Sequence, residues 1–271
     1  MKNSFYFILI LLGAMMLPPG KLISQPDSEP EPFGGNQLMR DFICDEMNYP
    51  EKAIKENQEG TVEIAFTVMT DGKKVNYRVI QSVSPELDDE ALRICRLIMF
   101  HPAVQSSNNI IADVVVPVKF NIKKYKRNCK QKGFEDFVAY QGRIDTSMIV
   151  YPSNALDKMP EPVFDEPGMT FSKFIVENMK YPELAFRQNI TGEVVLNFVV
   201  ETSGRISNIE IAEPLGGGCT EEAIQLIKQI RWKPGLKKKI AVRSFMTANI
   251  SFSLQDNSEH KYLPNQNNRT M

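Results

Sequence analysis

The sequence predicts an α+β fold: two tandem small domains, each a three-stranded antiparallel sheet with two helices on one face, in the order α-β-β-α-β. Three observations carry this. Tyr49-Pro50 recurs as Tyr181-Pro182, and 181 − 49 = 132; the same offset holds without a gap over about 80 residues. Apolar residues alternate at Val62, Ile64, Phe66 and Val68, and again at Val194, Leu196, Phe198 and Val200, which is the period of a half-buried strand. A helical stripe of Ala91, Leu92, Cys95 and Ile98 returns as Ala223, Ile224, Ile227 and Ile230.

The offset maps Phe42-Ile43 onto Phe174-Ile175, Ala53 onto Ala185, Asn57 onto Asn189 and Gly60 onto Gly192. It continues through Gly72 and Gly204, Asn76 and Asn208, Glu90-Ala91 and Glu222-Ala223, Pro102 and Pro234, and Phe120 and Phe252. These matches fall at turn glycines, helix-start prolines and strand hydrophobics in one register, which chance does not produce.

Each element follows in order. Leu38 to Met47 and Thr170 to Met179 space their apolar residues as helices do. Pro50 and Pro182 fit the first turn of a further helix, where the lost N–H has no partner to lose; it runs through Ala53 and Ala185 and stops near Gly60 and Gly192. The alternating strand comes next. Asp71-Gly72 and Ser203-Gly204 then turn the chain into a second strand through Val79-Ile80 and Ile209 to Ile211. The striped helix is expected to start near Asp88 and Thr220, with Thr220 as N-cap and Glu221-Glu222 placing negative charge at its N-terminus. Phe100-His101-Pro102 and Trp232-Lys233-Pro234 end it, and a last strand closes each copy over Ile111 to Ile122 and Val242 to Leu254. The repeats are assigned to residues 25–124 and 158–255, each of about 95 residues and large enough to fold alone, though marginally.

The flanks differ in kind. Residues 1–24 combine Lys2, an apolar run from Ser4 to Leu17 and the breakers Pro18, Pro19 and Gly20. The run is short of the roughly 20 residues that span a bilayer and suits a signal peptide cleaved after Ser24, with a short membrane anchor as the alternative. Residues 125–157 form a basic and mixed linker. Its basic run, Lys123 to Lys132, reads as a solvated strand extension or linker, or as a contact for lipid head groups or glycan; Ile144 to Val150 offers an extra strand. Residues 256–271 are polar and Asn-rich, the composition of a disordered tail.

Composition excludes several function classes. With 32 Lys+Arg against 33 Asp+Glu the net charge is −1, which gives no reason to expect nucleic-acid binding. His101 and His260 are the two histidines, and His101 aligns with Lys233, so no catalytic base is indicated. Gly216-Gly217-Gly218 lacks the Gly-Lys-Ser/Thr of a phosphate loop. No catalytic residue, metal site or cofactor is expected. Cys44, Cys95, Cys129 and Cys219 form no CxxC or zinc pattern; Cys44 and Cys95 read as small buried residues or as a disulfide.

The ordered set Tyr181-Pro182-Glu183-Leu184-Ala185, Gly192-Glu193-Val194, Phe198-Val199-Val200, Gly204, Glu222-Ala223 and Trp232-Lys233-Pro234-Gly235 resembles the TonB C-terminal domain. The lead-in Met159-Pro160-Glu161-Pro162-Val163-Phe164 looks like the variant common in Bacteroidetes-type envelope proteins, and Pro30-Glu31-Pro32-Phe33-Gly34-Gly35 precedes the first copy. That copy departs at Phe100 and Ala103, where the second keeps tryptophan and glycine.

The resemblance implies a periplasmic, non-enzymatic binding module supporting energy-dependent transmembrane transport. Such a domain captures an extended peptide, the TonB box, of an outer-membrane transporter, which adds as a strand beside the domain's last strand. Carried onto this chain, the partner-binding residues are Tyr181, Pro182, Thr247, Ala248, Asn249, Ile250, Ser251 and Phe252, with Tyr49, Pro50, Val116, Val118 and Phe120 in the first copy. The Tyr-Pro pairs can equally serve only to start and pack a helix, and the last strands can pair with each other. An anchored chain adds inner-membrane motor proteins as partners, and self-association stays open. Gln25 to Gly34 is a weak spacer: roughly ten residues reach about 35 Å fully extended. The alternative function is an accessory envelope protein that binds peptidoglycan, a sensor protein or itself, without energy transduction.

Overall fold

The structure, a computed structural model, describes residues 26–132 and 139–254. The expected leader with its cleavage after Ser24 and the expected tail at 256–271 lie outside the described residues. Repeat 1 contains β1 (Glu31–Pro32), α1 (Gly35–Glu46), α2 (Glu51–Lys55), β2 (Gly60–Val68), β3 (Lys74–Gln81), α3 (Pro85–Leu97), β4 (Phe100–His101), β5 (Ala103–Gln105), β6 (Asn108–Ile110) and β7 (Ala112–Phe120). After α4 (Ile122–Lys132), β8 (Arg143–Ile144) and β9 (Val150–Tyr151), repeat 2 contains β10 (Glu161–Val163), α5 (Phe171–Asn178), α6 (Glu183–Arg187), β11 (Gly192–Val200), β12 (Ile206–Glu213), α7 (Cys219–Gln229), β13 (Arg231–Lys233), β14 (Gly235–Lys237) and β15 (Ile240–Phe252).

The expected α+β plan is realised twice. Repeat 1 has a three-stranded antiparallel sheet in the order β3-β2-β7. In repeat 2 the equivalent strands, β12-β11-β15, belong to a larger sheet that also takes in β14, β8 and β9. Each sheet buries one face against its helices. Val62, Ile64, Phe66 and Phe120 fill the first core with Leu87, Ala91, Ile94 and Cys95; Val194, Leu196, Phe198 and Phe252 fill the second with Ala223, Leu226 and Ile227. The last strands do not pair with each other: β7 bonds β2, and β15 bonds β11.

Several shared residues have a conformational cause. Asn57 and Asn189 both sit at φ 52, and Asn76 and Asn208 at φ 57 and 49, in the left-handed region that asparagine tolerates better than most residues. Asn76 and Asn208 fall where β3 and β12 slip register against their neighbours, a β-bulge in each copy. The lead-ins also have a partner. Pro32 stands opposite Phe100 and Pro162 opposite Trp232, so each proline-rich lead-in is a short strand laid on the aromatic-X-Pro segment.

Three expectations are corrected. α3 begins at Pro85 rather than near Asp88, because Ser84 is extended and the proline suits the first turn. Thr220 lies inside α7 and does not cap it; Gly218, left-handed, precedes the helix, and the Thr220 hydroxyl donates to Leu215 O. The basic run at 123–132 is no strand extension. It forms helix α4, whose Tyr125 packs on Tyr49 and whose Asn128 donates to Cys44 O.

The two repeats meet at the C-terminal end of α3. A helix leaves its last carbonyls without partners inside itself, at the negative end of its dipole. Lys74 Nζ donates to Cys95 O at 2.7 Å, to Arg96 O at 3.1 Å and to Ile98 O. Leu97 O accepts from Arg243 Nη2 at 2.7 Å and from Asn208 Nδ2 at 3.0 Å, both from repeat 2. Asn208 Oδ1 accepts the Met99 N–H at 2.6 Å.

Arg243 is itself buried and paired with buried Glu201 through two contacts of 2.8 Å, while its Nη1 reaches Met148 O of the linker at 3.0 Å. Burial pushes the Glu201 carboxyl up, and Arg243 draws it back. The equivalent positions in repeat 1 are Met69 and Ile111 (201 − 132 and 243 − 132), so the ion pair belongs to the copy that has to meet a helix end.

Other polar contacts flank this joint. Glu46, buried on α1, accepts from Arg93 at 2.9 Å and from Ser203 at 3.1 Å, with Arg205 at 3.5 Å. Asp41 meets Lys228 at 2.8 Å, and His101, stacked on Phe33, meets Glu210 at 3.3 Å. Gly34 is left-handed at φ 72, and a Cβ there would lie 2.0 Å from Ile209 O of repeat 2. No side chain fits at that crossing.

Two outcomes follow. Arg243→Met strands the Glu201 carboxylate and should lower urea-measured stability by about 3–5 kcal/mol, most of it recovered by adding Glu201→Leu. The Lys74 stem is half exposed but its ammonium lies inside, and burial pulls its pKa from the usual 10.5 down to about 7. Between those values the unfolded chain holds a proton that the folded chain has shed, so stability rises with pH across that window. Lys74→Met should lack that gain in matched urea titrations.

Candidate functional site

An exposed strand edge offers a row of unpaired N–H and C=O groups to any extended chain. The two sheets carry such edges on β3, β7, β12 and β15, and their backbones treat them differently. β3 is bulged at left-handed Asn76, which twists the edge away from a regular ladder. β12 is covered by repeat 1, with α1 packed on it and Gly34 against Ile209 O.

β7 pairs Glu63 with Pro117 in an unbroken register against β2. Proline has no N–H and is tolerated inside a ladder only where that group would face outward. The outer edge of β7 therefore lacks a donor at its middle. The equivalent residue in repeat 2 is Asn249 (117 + 132), opposite Val195. Asn249 keeps its N–H.

On β15 the outer edge is set by another contact. Asp145 N–H donates to Ala241 O at 2.8 Å, so the odd-numbered residues of β15 turn their backbone groups away from β11. The linker occupies the first part of this edge in parallel, β8 against Ile240 and Ala241 and β9 against Arg243 and Ser244. From Phe245 to Phe252 no strand pairs with this side among the described residues.

The sequence-predicted residues divide accordingly. Ala248, Ile250 and Phe252 point their side chains into the core, as do Val116, Val118 and Phe120, and their backbone groups face β11 or β2, so they offer a partner neither. Thr247, Asn249 and Ser251 face solvent on the opposite side of the sheet; Thr247 donates to Asn197 Oδ1 at 2.8 Å and Ser251 to Glu193 Oε1 at 3.0 Å.

Tyr181 stands edge-on to Phe252, with centroids 5.8 Å apart, and its hydroxyl donates to Ile190 O at 2.6 Å. Tyr49 repeats both contacts, with Phe120 and Gln58 O. Burial, then Glu59, pushes the Tyr49 phenol up to about 12; burial, then Cys219, raises Tyr181. Both are neutral donors that fasten the loop entering β2 or β11 to the last strand. Pro50 and Pro182 are extended residues immediately before α2 and α6. The Tyr-Pro pairs therefore pack the end of the edge.

The same face differs between copies. In repeat 1, α4 covers it, with Tyr125 against Tyr49 and Lys124 Nζ 3.2 Å from Cys44 Sγ. In repeat 2 no described helix follows β15, and Val176, Leu184 and Phe186 are half exposed.

All four cysteines are free, with Cys95 and Cys219 buried in the two cores. Among the described residues no cluster of His, Cys, Asp or Glu has the makings of a metal site, and no helix is long and apolar enough to cross a membrane. Sequence reasoning missed Arg243, Lys74 and the contrast of Pro117 with Asn249. The contrast stands in the repeat alignment itself, as a proline set against a residue that can donate.

The family profile described as Gram-negative bacterial TonB protein C-terminal matches residues 45–122 and 177–254, together more than half of the 271 residues. The chain belongs to the TonB C-terminal family. Each of the two matched stretches lies within one of the tandem copies. TonB C-terminal domains are non-catalytic, transport-coupling modules of the cell envelope and periplasm that bind the TonB boxes of outer-membrane transporters. The match does not narrow the source to the Bacteroidetes type that the lead-in resembles. No curated protein matches the chain.

Trp232, the family tryptophan of repeat 2, is buried between Phe171 and Phe198, and its Nε1 has no hydrogen-bond partner among the described residues. Repeat 1 fills this position with Phe100. Trp232→Phe loses packing volume but also removes an unsatisfied donor, and the two effects oppose. The expected change in urea-measured stability is within about 1 kcal/mol, against about 3–5 kcal/mol for Trp232→Ala.

Proposed function

We propose that repeat 2 captures an extended peptide of the TonB-box type from an outer-membrane transporter, adding it as a strand along Phe245 to Phe252. The observation that carries this is the state of the edges: of β3, β7, β12 and β15, only the second half of β15 combines a regular backbone, a full set of outward donors and no described partner strand. The Phe245 carbonyl and the backbone groups of Thr247, Asn249 and Ser251 supply the ladder, and Tyr181 and Pro182 hold the end of the edge in place. Thr247, Asn249 and Ser251 present their side chains to one face of the added strand, where they read alternate residues of the peptide.

Repeat 1 serves as the buttress. Its helix end seats Arg243, its α1 covers β12, and its own last strand is interrupted by Pro117. The segment Gln25 to Gly34 supplies little spacer, since Ser28 bridges Val104 and Glu31–Pro32 pairs with β4. The chain thus acts in the envelope as a binding module that supports energy-dependent transport, delivered to the periplasm by its apolar N-terminal run.

Titration of the full chain with synthetic TonB-box peptides tests this. Asn249→Pro removes one outward donor without touching the β11 ladder and should weaken binding about 10-fold or more, while Asn249→Ala, which keeps the backbone N–H, should change it less than about 3-fold. Equal loss from both variants, or no binding of any box peptide by the parent chain, contradicts the reading.

A further inference from the structure

The outer edge of β15 falls into two parts in sequence. Its first part, Ile240 to Ser244, is held by the chain's own linker; its second part, from Phe245, is open among the described residues. The linker lies on this edge as a strand ligand does, by backbone pairing in a continuous direction. Arg143 and Ile144 pair with Ile240 and Ala241, and Val150 and Tyr151 pair with Arg243 and Ser244.

The linker's side chains hold it at two points: Met148 packs against the first core, and Lys237 Nζ lies 4.1 Å from the centre of the Tyr151 ring. Ile144 and Ile149 are half exposed, and Arg143 and Thr146 are exposed. Between the two short strands the linker leaves the edge in a turn, where Asp145 accepts from Ser147 and Met148 takes a left-handed conformation. One polar anchor is Met148 O, which accepts from Arg243 Nη1 at 3.0 Å; another is the Tyr140 hydroxyl, which donates to Lys239 O at 2.9 Å. Pro152 follows Tyr151, extended and unable to donate, and the chain turns off the edge there. Repeat 1 has no such tenant: β7 pairs only with β2 among the described strands.

We propose that the segment Arg143 to Tyr151 is an internal strand ligand that occupies the first half of the partner edge, fixes where a bound peptide must begin, and gives way to a longer peptide. A peptide that fits along Phe245 to Phe252 binds beside it. One that extends past Phe245 toward Ala241 meets the linker and has to displace it. Displacement also takes Met148 O from Arg243, the residue that ties repeat 2 to the end of α3, so occupancy of the whole edge is felt at the joint between the repeats. The part of this inference that concerns an outside peptide rests on the function proposed above; the part that concerns the linker does not.

The test uses the full chain and Asp145→Pro/Tyr151→Pro, which removes the Asp145 N–H bonded to Ala241 O and places a ring where β9 pairs. The probe is a synthetic peptide of residues 142–152 added in trans, followed by fluorescence anisotropy and by hydrogen exchange of β15. The variant should bind this peptide at least 10-fold more tightly than the parent, and binding should restore protection of the Arg243 and Phe245 amides. Equal affinity for parent and variant, or Arg243 and Phe245 amides as protected in the variant as in the parent, overturns the proposal. Unchanged exchange of the β11 amides shows that the variant is folded; should they lose protection, single Asp145→Pro replaces it under the same criteria. A TonB-box peptide run alongside separates the two readings. If it binds neither protein while the linker peptide discriminates between them, the transporter partner falls and the linker assignment stands.

Discussion

The carbonyls at the end of α3 are what hold the two halves of this chain in one arrangement. A helix that stops inside a protein needs donors for its last turn, and repeat 1 supplies them for Cys95, Arg96 and Ile98 through Lys74. Leu97 O is left for repeat 2, which brings Arg243 and Asn208. Bringing a guanidinium to that site means burying it, and burying it requires Glu201 beside it. The absence of a side chain at Gly34, the pairing of Glu46 with Arg93 and Ser203, and the contact of Asp41 with Lys228 all follow the same seating. The two domains are not beads on a flexible linker; one is built to receive a helix end of the other.

That seating explains why two copies of one fold have different edges. Covering β12 with repeat 1 uses up one edge of the second sheet. Pro117 breaks the outer edge of β7, and α4 closes the aromatic face beside it. The linker then crosses to repeat 2 and lays itself on the start of β15. Among the described residues, what remains is one regular stretch of unpaired backbone, in the copy that also keeps the family tryptophan and the glycine after its proline. Duplication has produced one copy with an open edge and one without among the described residues, and the differences are single backbone facts: a missing N–H, an added helix, a borrowed strand.

Much of this was legible in the sequence, and the rest was not for definite reasons. Phe66 and Phe198, Ala53 and Ala185, and Gly72 and Gly204 announced the repeat because identical local demands fixed identical residues. Asn76 and Asn208 were legible as a match, but their left-handed backbone was not, since an asparagine in a strand pattern does not state its φ. Arg243 and Lys74 carry no local sequence signal. Their role comes from a helix end far away in sequence, and no local pattern encodes a contact between Arg243 and Leu97. Thr220 followed the rule for an N-cap and was overruled by Gly218, whose left-handed turn starts α7 two residues earlier. The basic run from Lys123 to Lys132 lacked a strong apolar stripe, so its helix shows only once Tyr125 has Tyr49 to pack against.

The central claim is that one half of one strand receives the partner. Amide-resolved hydrogen exchange on the full chain, with and without a saturating TonB-box peptide, tests it most directly. The account predicts new protection at Thr247, Asn249 and Ser251, with no change along Ala112 to Phe120. Protection that appears on β7 or β3, or a bound peptide that leaves the β15 amides unchanged, would contradict it.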